Sequence, residues 1–280
     1  MNNIIDVTDL PEVSETLLIT TYLRSLETKK PDGIICDRKS VEIVNRINYN
    51  FSQYDSPINQ ALIAIRTEVI DEFVQSFIEQ HSSVTVVSLG TGLCTRFFRL
   101  NSSSTQWIAI DLPQVKLVWD SLVGEAESHH YLSHSVIDLN WITKVKQIVS
   151  GKVLFVAEGL LMFLSEIEVK YLIANIQSNF PDSELIFDSL GTILARNSKL
   201  NSGDLGIDTS YQWGIKNLKE MENWVPGIKL VQQWYCLDRH KDRLGLLGWL
   251  SYLPILRRQV KIGHLRFSQT EQSKNRITIC

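Results

Sequence analysis

The chain has 280 residues, 44% of them hydrophobic and 21% charged, and its 28 basic and 31 acidic residues leave a net charge of −3. That length fits one large α/β domain, or a core with a modest appendage, and buries a core without disulfide or metal staples. The charge balance excludes a general attraction to nucleic acid or to an anionic membrane, while leaving room for a local basic patch. Cys36, Cys94, Cys236 and Cys280 form no CxxC pair, so neither a zinc site nor a disulfide framework is suggested. The start, MNNIIDVTDLPEV, lacks the basic and apolar regions of a signal peptide. The longest apolar run, residues 153–164, is broken by Glu158 and falls well short of the ~18 residues of a membrane span. The expectation is a cytoplasmic protein with no membrane and no nucleic-acid partner.

The first 80 residues read as helical. Ser14 is placed to cap a helix running to about Glu27, and Asp37 to cap one running to about Ile47. Leu62, Ile65, Val69, Phe73 and Phe77 form the apolar stripe of a third helix. Short apolar or β-branched runs follow at 84–89, 107–110, 153–157 and 184–187, with helical segments between them at 113–123 and 165–179. Such alternation predicts a mostly parallel sheet with helices on both faces. Pro113 suits a first helical turn, and Ser165 with Glu168 reads as a capping box. A further strand is expected at 134–137. Residues 191–226 are rich in glycine and tryptophan and read as an irregular insertion over a site. Runs at 229–236 and 259–267 are expected to close the sheet, antiparallel, around a helix near 243–253. The expected organisation is a single domain: a helical cap over 1–80, a core over 81–190, a lid over 191–228 and a completing segment over 229–280.

The most informative stretch is VTVVSLGTGLCTRFFRLNSSSTQWIAIDL, residues 84–112. A buried strand ends at Leu89 and is followed by Gly90, Thr91 and Gly92, where glycines permit a sharp turn and close ligand approach. A second strand ends at Asp111, with Leu112 beside it, where a carboxylate can accept both hydroxyls of an adenosine ribose. GxG alone is equally read as a strand-to-helix turn; joined to Asp111 it favours a nucleoside site. Thr95 stands where a dinucleotide fingerprint has its third glycine, which favours S-adenosyl-L-methionine (SAM) over NAD. Asp138 and Leu139 are placed for the adenine side. Glu158 and Gly159 end the most apolar strand, so Glu158 needs a cation or donor nearby, whether for a ligand or in a buried salt bridge. Arg66 lies on the apolar stripe of its helix, either snorkelling outward or facing an anion such as a ligand carboxylate.

Several of these segments, in order, carry a resemblance: ETLLITTYLRSLETKKPDGIICDRKSVEIV, VVSLGTGLCTRFFRL, WIAIDLPQVKLVW, VLFVAEGLLMFL and YQWGIKNLKEMENWVPGIKL. Together they resemble the leucine carboxyl methyltransferase superfamily, and within it the tetracenomycin-type polyketide O-methyltransferases. The resemblance spans nearly the whole chain. It implies a class I SAM-dependent methyltransferase: a Rossmann-like, mostly parallel α/β sheet with an N-terminal helical extension and a lid-like insertion. It places Gly90 in the SAM-binding turn, Asp111 at the ribose, Asp138 and Leu139 at the adenine, and Glu158 as the acid after the fourth strand. Arg66, and by a looser alignment Arg24, take the methionine carboxylate end. One departure is Cys94, where the family usually has Asp: a thiol cannot supply those acceptor oxygens, so the local contact is absent or replaced. It reads as a buried inert thiol rather than a reactive one.

The expected reaction is methyl transfer to a carboxylate or hydroxyl oxygen of a small-molecule natural product by in-line displacement, with S-adenosyl-L-homocysteine as product and no metal. The alternatives are protein C-terminal carboxyl methylation, a non-catalytic SAM-binding protein and, more distantly, an NAD-binding oxidoreductase. A biosynthetic synthase is the candidate protein partner; the oligomeric state is left open. Tyr22, Asp188, Tyr211, Trp213 and His264 are candidates for the acceptor site, with no residue assigned as general base. His129, His130 and His134 have spacings that suit a metal poorly and read as solvated. No GxSxG elbow and no P-loop is present.

Overall fold

A computed structural model describes residues 4–6, 15–100, 105–196 and 211–269. Ser14, the expected cap of the first helix, lies outside them; the helix itself, α1 (Glu15–Thr28), forms where it is expected. Asp37 caps α2 (Arg38–Val44), its side chain accepting the Ser40 N–H at 3.1 Å. This helix stops short of Ile47, because Ile47 and Asn48 turn off as β2 and pair in parallel with β1 (Ile5–Asp6). The apolar stripe becomes α3 (Pro57–Glu79), with Ser56 accepting the Asn59 N–H at its start.

Seven strands form the main sheet: β3 (Val84–Leu89), β4 (Thr105–Asp111), β5 (His129–Ser133), β6 (Lys152–Ala157), β7 (Glu184–Leu190), β8 (Ile228–Tyr235) and β9 (Val260–Phe267). They lie in the order β5-β4-β3-β6-β7-β9-β8. The five from β3 to β7 are parallel, and β9 runs antiparallel to both β7 and β8. The chain order reverses at β3, which has β4 on one side and β6 on the other. That is the switch point outside whose carboxyl ends an open α/β sheet binds ligands.

The crossovers are α4 (Arg96–Leu100), α5 (Pro113–Leu122), α6 (Asn140–Ile148) and α7 (Glu166–Asn179). The capping box of α7 is closed in both directions: Ser165 Oγ accepts the Glu168 N–H and Glu168 Oε2 accepts the Ser165 N–H. Strand alternation sends Val84, Val86, Leu154, Val156 and Ile186 towards α3, and Val87, Leu89, Phe155, Ala157 and Phe187 to the opposite face, where α6 and α7 pack.

The expected strand, the solvated histidine and the long C-terminal helix are corrected. The strand expected at 134–137 forms instead at His129–Ser133, in register with Trp107 to Asp111, and the His134 N–H donates to the Asp111 carbonyl as the chain turns away. His129 is consequently buried rather than solvated, stacked on Phe97 with ring centroids 4.3 Å apart. The helix expected near 243–253 is broken at Gly245 (φ +53°) into a 3-10 turn (Lys241–Leu244) and a short helix (Leu246–Leu250), followed by Pro254–Arg257. Within the expected lid, residues 197–210 lie outside the described part, and Trp213, Ile215, Leu218 and Met221 pack into the main core.

Candidate active site

Two features of the chain bring the site together. The first is the turn after β3. Gly90 and Gly92 both take positive φ, +59° and +51°, which a side chain would strain. The loop is tied to β4: the Thr91 N–H donates to the Ile110 carbonyl at 3.1 Å, and the Gly92 N–H donates to Asp111 Oδ2 at 2.6 Å. Asp111 Oδ1 accepts the Leu112 N–H. Burial pushes the Asp111 carboxyl above its ordinary range, and these two amides pull it back.

The second feature is alternation along the strands. Glu158 follows Val156 by two residues and Asp188 follows Ile186 by two, so both carboxylates emerge on the face covered by α3. Arg66 lies on the stripe of α3 that meets them. Its Nε donates to Glu158 Oε1 at 3.0 Å and its Nη1 to Asp188 Oδ2 at 3.1 Å. Arg66 thus does not snorkel; it faces inward. Asp188 Oδ1 also accepts the Gly159 N–H at 2.6 Å. Burial raises the Asp188 carboxyl, opposed by Arg66 and that amide.

These pairs belong to a longer alternating chain of buried charges. Glu158 Oε2 accepts from Arg96 Nη2 at 2.5 Å, Arg96 Nε donates to Asp71, and Asp71 accepts from Arg99 Nε. Arg99 Nη1 donates to Asp37 Oδ2 at 2.8 Å, and Asp37 accepts from Arg24 Nε at 3.0 Å. Four arginines thus alternate with four carboxylates from α1 to β7, so each buried charge is flanked by the opposite sign. Burial opposes the ionisation of Glu158, but Arg66, Arg96 and Arg24 outweigh it and hold its carboxyl well below the usual range. Asp37 is likewise lowered, Arg99 and Arg24 overcoming its burial.

A cavity of about 460 Å³ opens outside the carboxyl ends of β3, β4 and β6. Of the residues singled out from sequence, Arg24, Arg66, Gly90, Thr91, Gly92, Asp111, Leu112, Glu158, Gly159, Asp188 and Tyr211 line it. Among the described residues, Arg66 Nη2 and Arg24 Nη1 are the guanidinium nitrogens of those two residues with no protein acceptor. The rest of the wall is chiefly apolar, with Leu17, Leu62, Ile63, Met162, Phe163 and Val260.

Other candidates fall elsewhere. Asp138 is exposed, holding the Asn140 N–H and the His134 ring, and neither it nor Leu139 lines the cavity. Tyr22 stacks on Phe51 and donates to Asp55 at 2.5 Å. Trp213 is buried against Trp224. His264 pairs with Glu184 at the far, amino-terminal end of β7 and packs on Phe73. Cys94 lines the cavity, and its Sγ accepts from Arg96 Nη1 at 3.4 Å. Asp71 and Arg99 stand out in no sequence motif, and Asp37 does so only as a helix cap. Their sole local signal is an ionisable residue in an otherwise buried helical setting. Among the described residues no group of His, Cys, Asp and Glu is placed to hold a metal, and no helix is long and apolar enough to cross a membrane.

The chain is 29% identical over 231 residues to the tetracenomycin polyketide synthesis O-methyltransferase of Streptomyces glaucescens, covering 82% of this chain and 85% of that one. It is 29% identical over 263 residues to an S-adenosyl-L-methionine-dependent methyltransferase of Gibberella zeae, covering 86% and 88%. A crystal structure of a Thermobifida fusca protein assigned as a methyltransferase superposes with a TM-score of 0.57 at 16% identity, covering 90% of this chain and 94% of that one, a likeness of fold alone. The family model described as leucine carboxyl methyltransferase matches residues 17–177, more than half of the chain. The chain therefore belongs to the leucine carboxyl methyltransferase family and has the Rossmann-like class I methyltransferase fold.

Proposed function

We propose that the protein is a SAM-dependent O-methyltransferase whose acceptor is a carboxylate on a largely apolar small molecule of the polyketide type. The observation that carries this reading is one cavity in which a glycine turn, a carboxylate at the end of β4 and two inward arginines surround an apolar space.

The residues present fit SAM. Asp111 keeps acceptor capacity beyond its two amide bonds, which suits ribose hydroxyls. A side chain at Gly90 would be strained at φ +59° and would meet the Leu160 side chain at 2.7 Å, so the turn favours glycine. Arg66 Nη2 and Arg24 Nη1 suit the methionine carboxylate. When bound, SAM supplies a methyl group on a sulfonium centre. What the chain supplies is placement: the Gly90–Gly92 turn and Asp111 hold the nucleoside, the arginines orient the amino-acid end, and the apolar walls exclude water from the acceptor.

A carboxylate acceptor is favoured because it arrives ionised. The described lining contains no histidine and no lysine. Glu158 and Asp188 are held by arginines, and Asp111 by backbone amides. Burial raises the Tyr211 phenol. A hydroxyl acceptor would need a base that none of these supplies. The similarity to the tetracenomycin enzyme supports the polyketide class.

Equilibrium titration is expected to show SAM and S-adenosylhomocysteine binding, weakened roughly 100-fold in Asp111→Ala through loss of two charge-assisted contacts. Absence of binding by the folded wild type would sink the reading. Turnover of a carboxylic acid acceptor should be flat in pH between about 6 and 9, whereas a steep rise with pH would point to a hydroxyl acceptor. Methylation confined to peptide C-termini would replace the small-molecule acceptor with a protein.

A further inference from the structure

The C-terminal third of the chain carries a surface that methyl transfer does not use. Of the large apolar side chains exposed on the described structure, five fall within ten residues: Leu246, Trp249, Tyr252, Leu253 and Ile255, at 54–77% exposure. Leu246 and Trp249 lie on a short helix, Leu246–Leu250, Ile255 on a second, Pro254–Arg257, and Tyr252 and Leu253 on the turn between them. So dense a run of exposed apolar side chains, two of them aromatic, points to an interaction surface rather than the scattered exposure of ordinary surface residues.

Two cations beside this patch are left unneutralised. Residues 238–258 include Arg239, Lys241, Arg243, Arg257 and Arg258 with two acids, Asp238 and Asp242. Arg239, Arg243 and Arg257 are neutralised by Glu68 and Glu72, by Glu27 and Asp32, and by Asp238 respectively. Lys241 and Arg258 have no carboxylate partner among the described residues. Lys241 Nζ instead sits 4.2 Å above the Tyr252 ring. Arg258 shares a concavity with Lys216 and Glu220, while Lys261 beneath it is buried and donates to the Ile215 and Lys216 carbonyls. Beside the patch, Gln259 Nε2 donates to the Ile255 carbonyl, and the next residue, Val260, lines the active-site cavity.

We propose that the face formed by residues 246–255 docks on an anionic lipid bilayer. Exposed Trp, Tyr and Leu flanked by unneutralised Lys and Arg match the chemistry of the membrane interface, where rings sit at headgroup level and cations meet anionic lipid. A second copy fits less well, because a two-fold contact through this patch would bring Lys241 and Arg258 towards their own counterparts. Docking here would set the apolar cavity beside the bilayer, giving a lipophilic acceptor a short path. The proposal stands apart from the methyl-transfer reading, since binding is measured without turnover.

The full chain should co-sediment with vesicles of phosphatidylcholine containing phosphatidylglycerol, bind pure phosphatidylcholine more weakly, and be released by high salt. Tryptophan emission should shift to shorter wavelength on binding. Trp249→Ser and Arg258→Glu should each weaken vesicle affinity by roughly tenfold or more, with thermal midpoint and SAM affinity unchanged because both side chains are exposed. Wild-type protein that stays in the supernatant with anionic vesicles overturns the proposal. So does a dimer that Trp249→Ser dissociates while vesicles fail to bind, which would assign the face to a second copy. Vesicle binding that survives both substitutions would likewise remove this face as its cause.

Discussion

His129 shows how a residue's neighbours decide its chemistry. It is 5% exposed, lies between Phe97 and Trp119, and its Nδ1 is buried without a partner. Burial, with His130 adding to it, pulls its pKa down to about 4. The unfolded chain, at an ordinary value near 6.5, therefore binds the extra proton between about pH 6.5 and 4 while the folded chain does not. Stability is complete above that window and falls as pH drops through it, by about 3 kcal/mol at most. Urea denaturation as a function of pH should show this slope in the wild type and lose it in His129→Phe. Equal slopes in the two would show that His129 carries none of the effect. The sequence identified the histidine triplet as unsuited to metal, but the burial of one member depends on a ring stack across elements that no local spacing encodes. At Cys94, too, the sequence exposed the missing carboxylate, and only the fold shows that Arg96 meets the thiol instead.

Among elements, α3 carries the most. Its Ile65, Val69 and Val74 pack on the sheet, while Arg66, Thr67 and Asp71 engage groups from β6, β7 and α4. Asp71 accepts from both Arg96 and Arg99, which are 1% and 9% exposed at their side chains. Asp71→Asn would leave two buried guanidinium groups short of one charge. The expected loss of stability is about 3 kcal/mol, measured by urea unfolding. A change under about 1 kcal/mol would mean the remaining partners, Glu158 and Asp37, suffice. The helix was legible from its stripe, and the glycine turn and Asp111 from their place after strands. Asp71 and Arg99 were not, because a buried ion pair leaves no periodic mark.

At the scale of the molecule, cap and sheet share their interior. Residues 61–78 of α3 belong to the same apolar cluster as Val84, Val86, Leu154 and Ile262, and the ion chain continues from Arg24 of α1 to Asp188 of β7. Glu27, fully buried, adds bonds to Gln60 and to Arg243. The expected consequence is one cooperative unfolding transition, with calorimetric and van't Hoff enthalpies equal; a separate early melting of the first 80 residues would show an independent cap.

While it misplaced β5 and the helix near 243–253, the sequence by itself determined most of the helices, the parallel sense of the core strands and the end of the sheet at which the cavity lies. These follow from apolar periods, caps and glycines, which act over a few residues. Tertiary structure alone decided which charges meet. Arg66 finds Glu158 across 92 positions and Asp188 across 122, and it removed His264, Trp213 and Tyr22 from the cavity by placing them on other faces of the fold. Pairing of buried charge is set by which side of a strand faces which helix, and that is fixed only when the sheet is assembled.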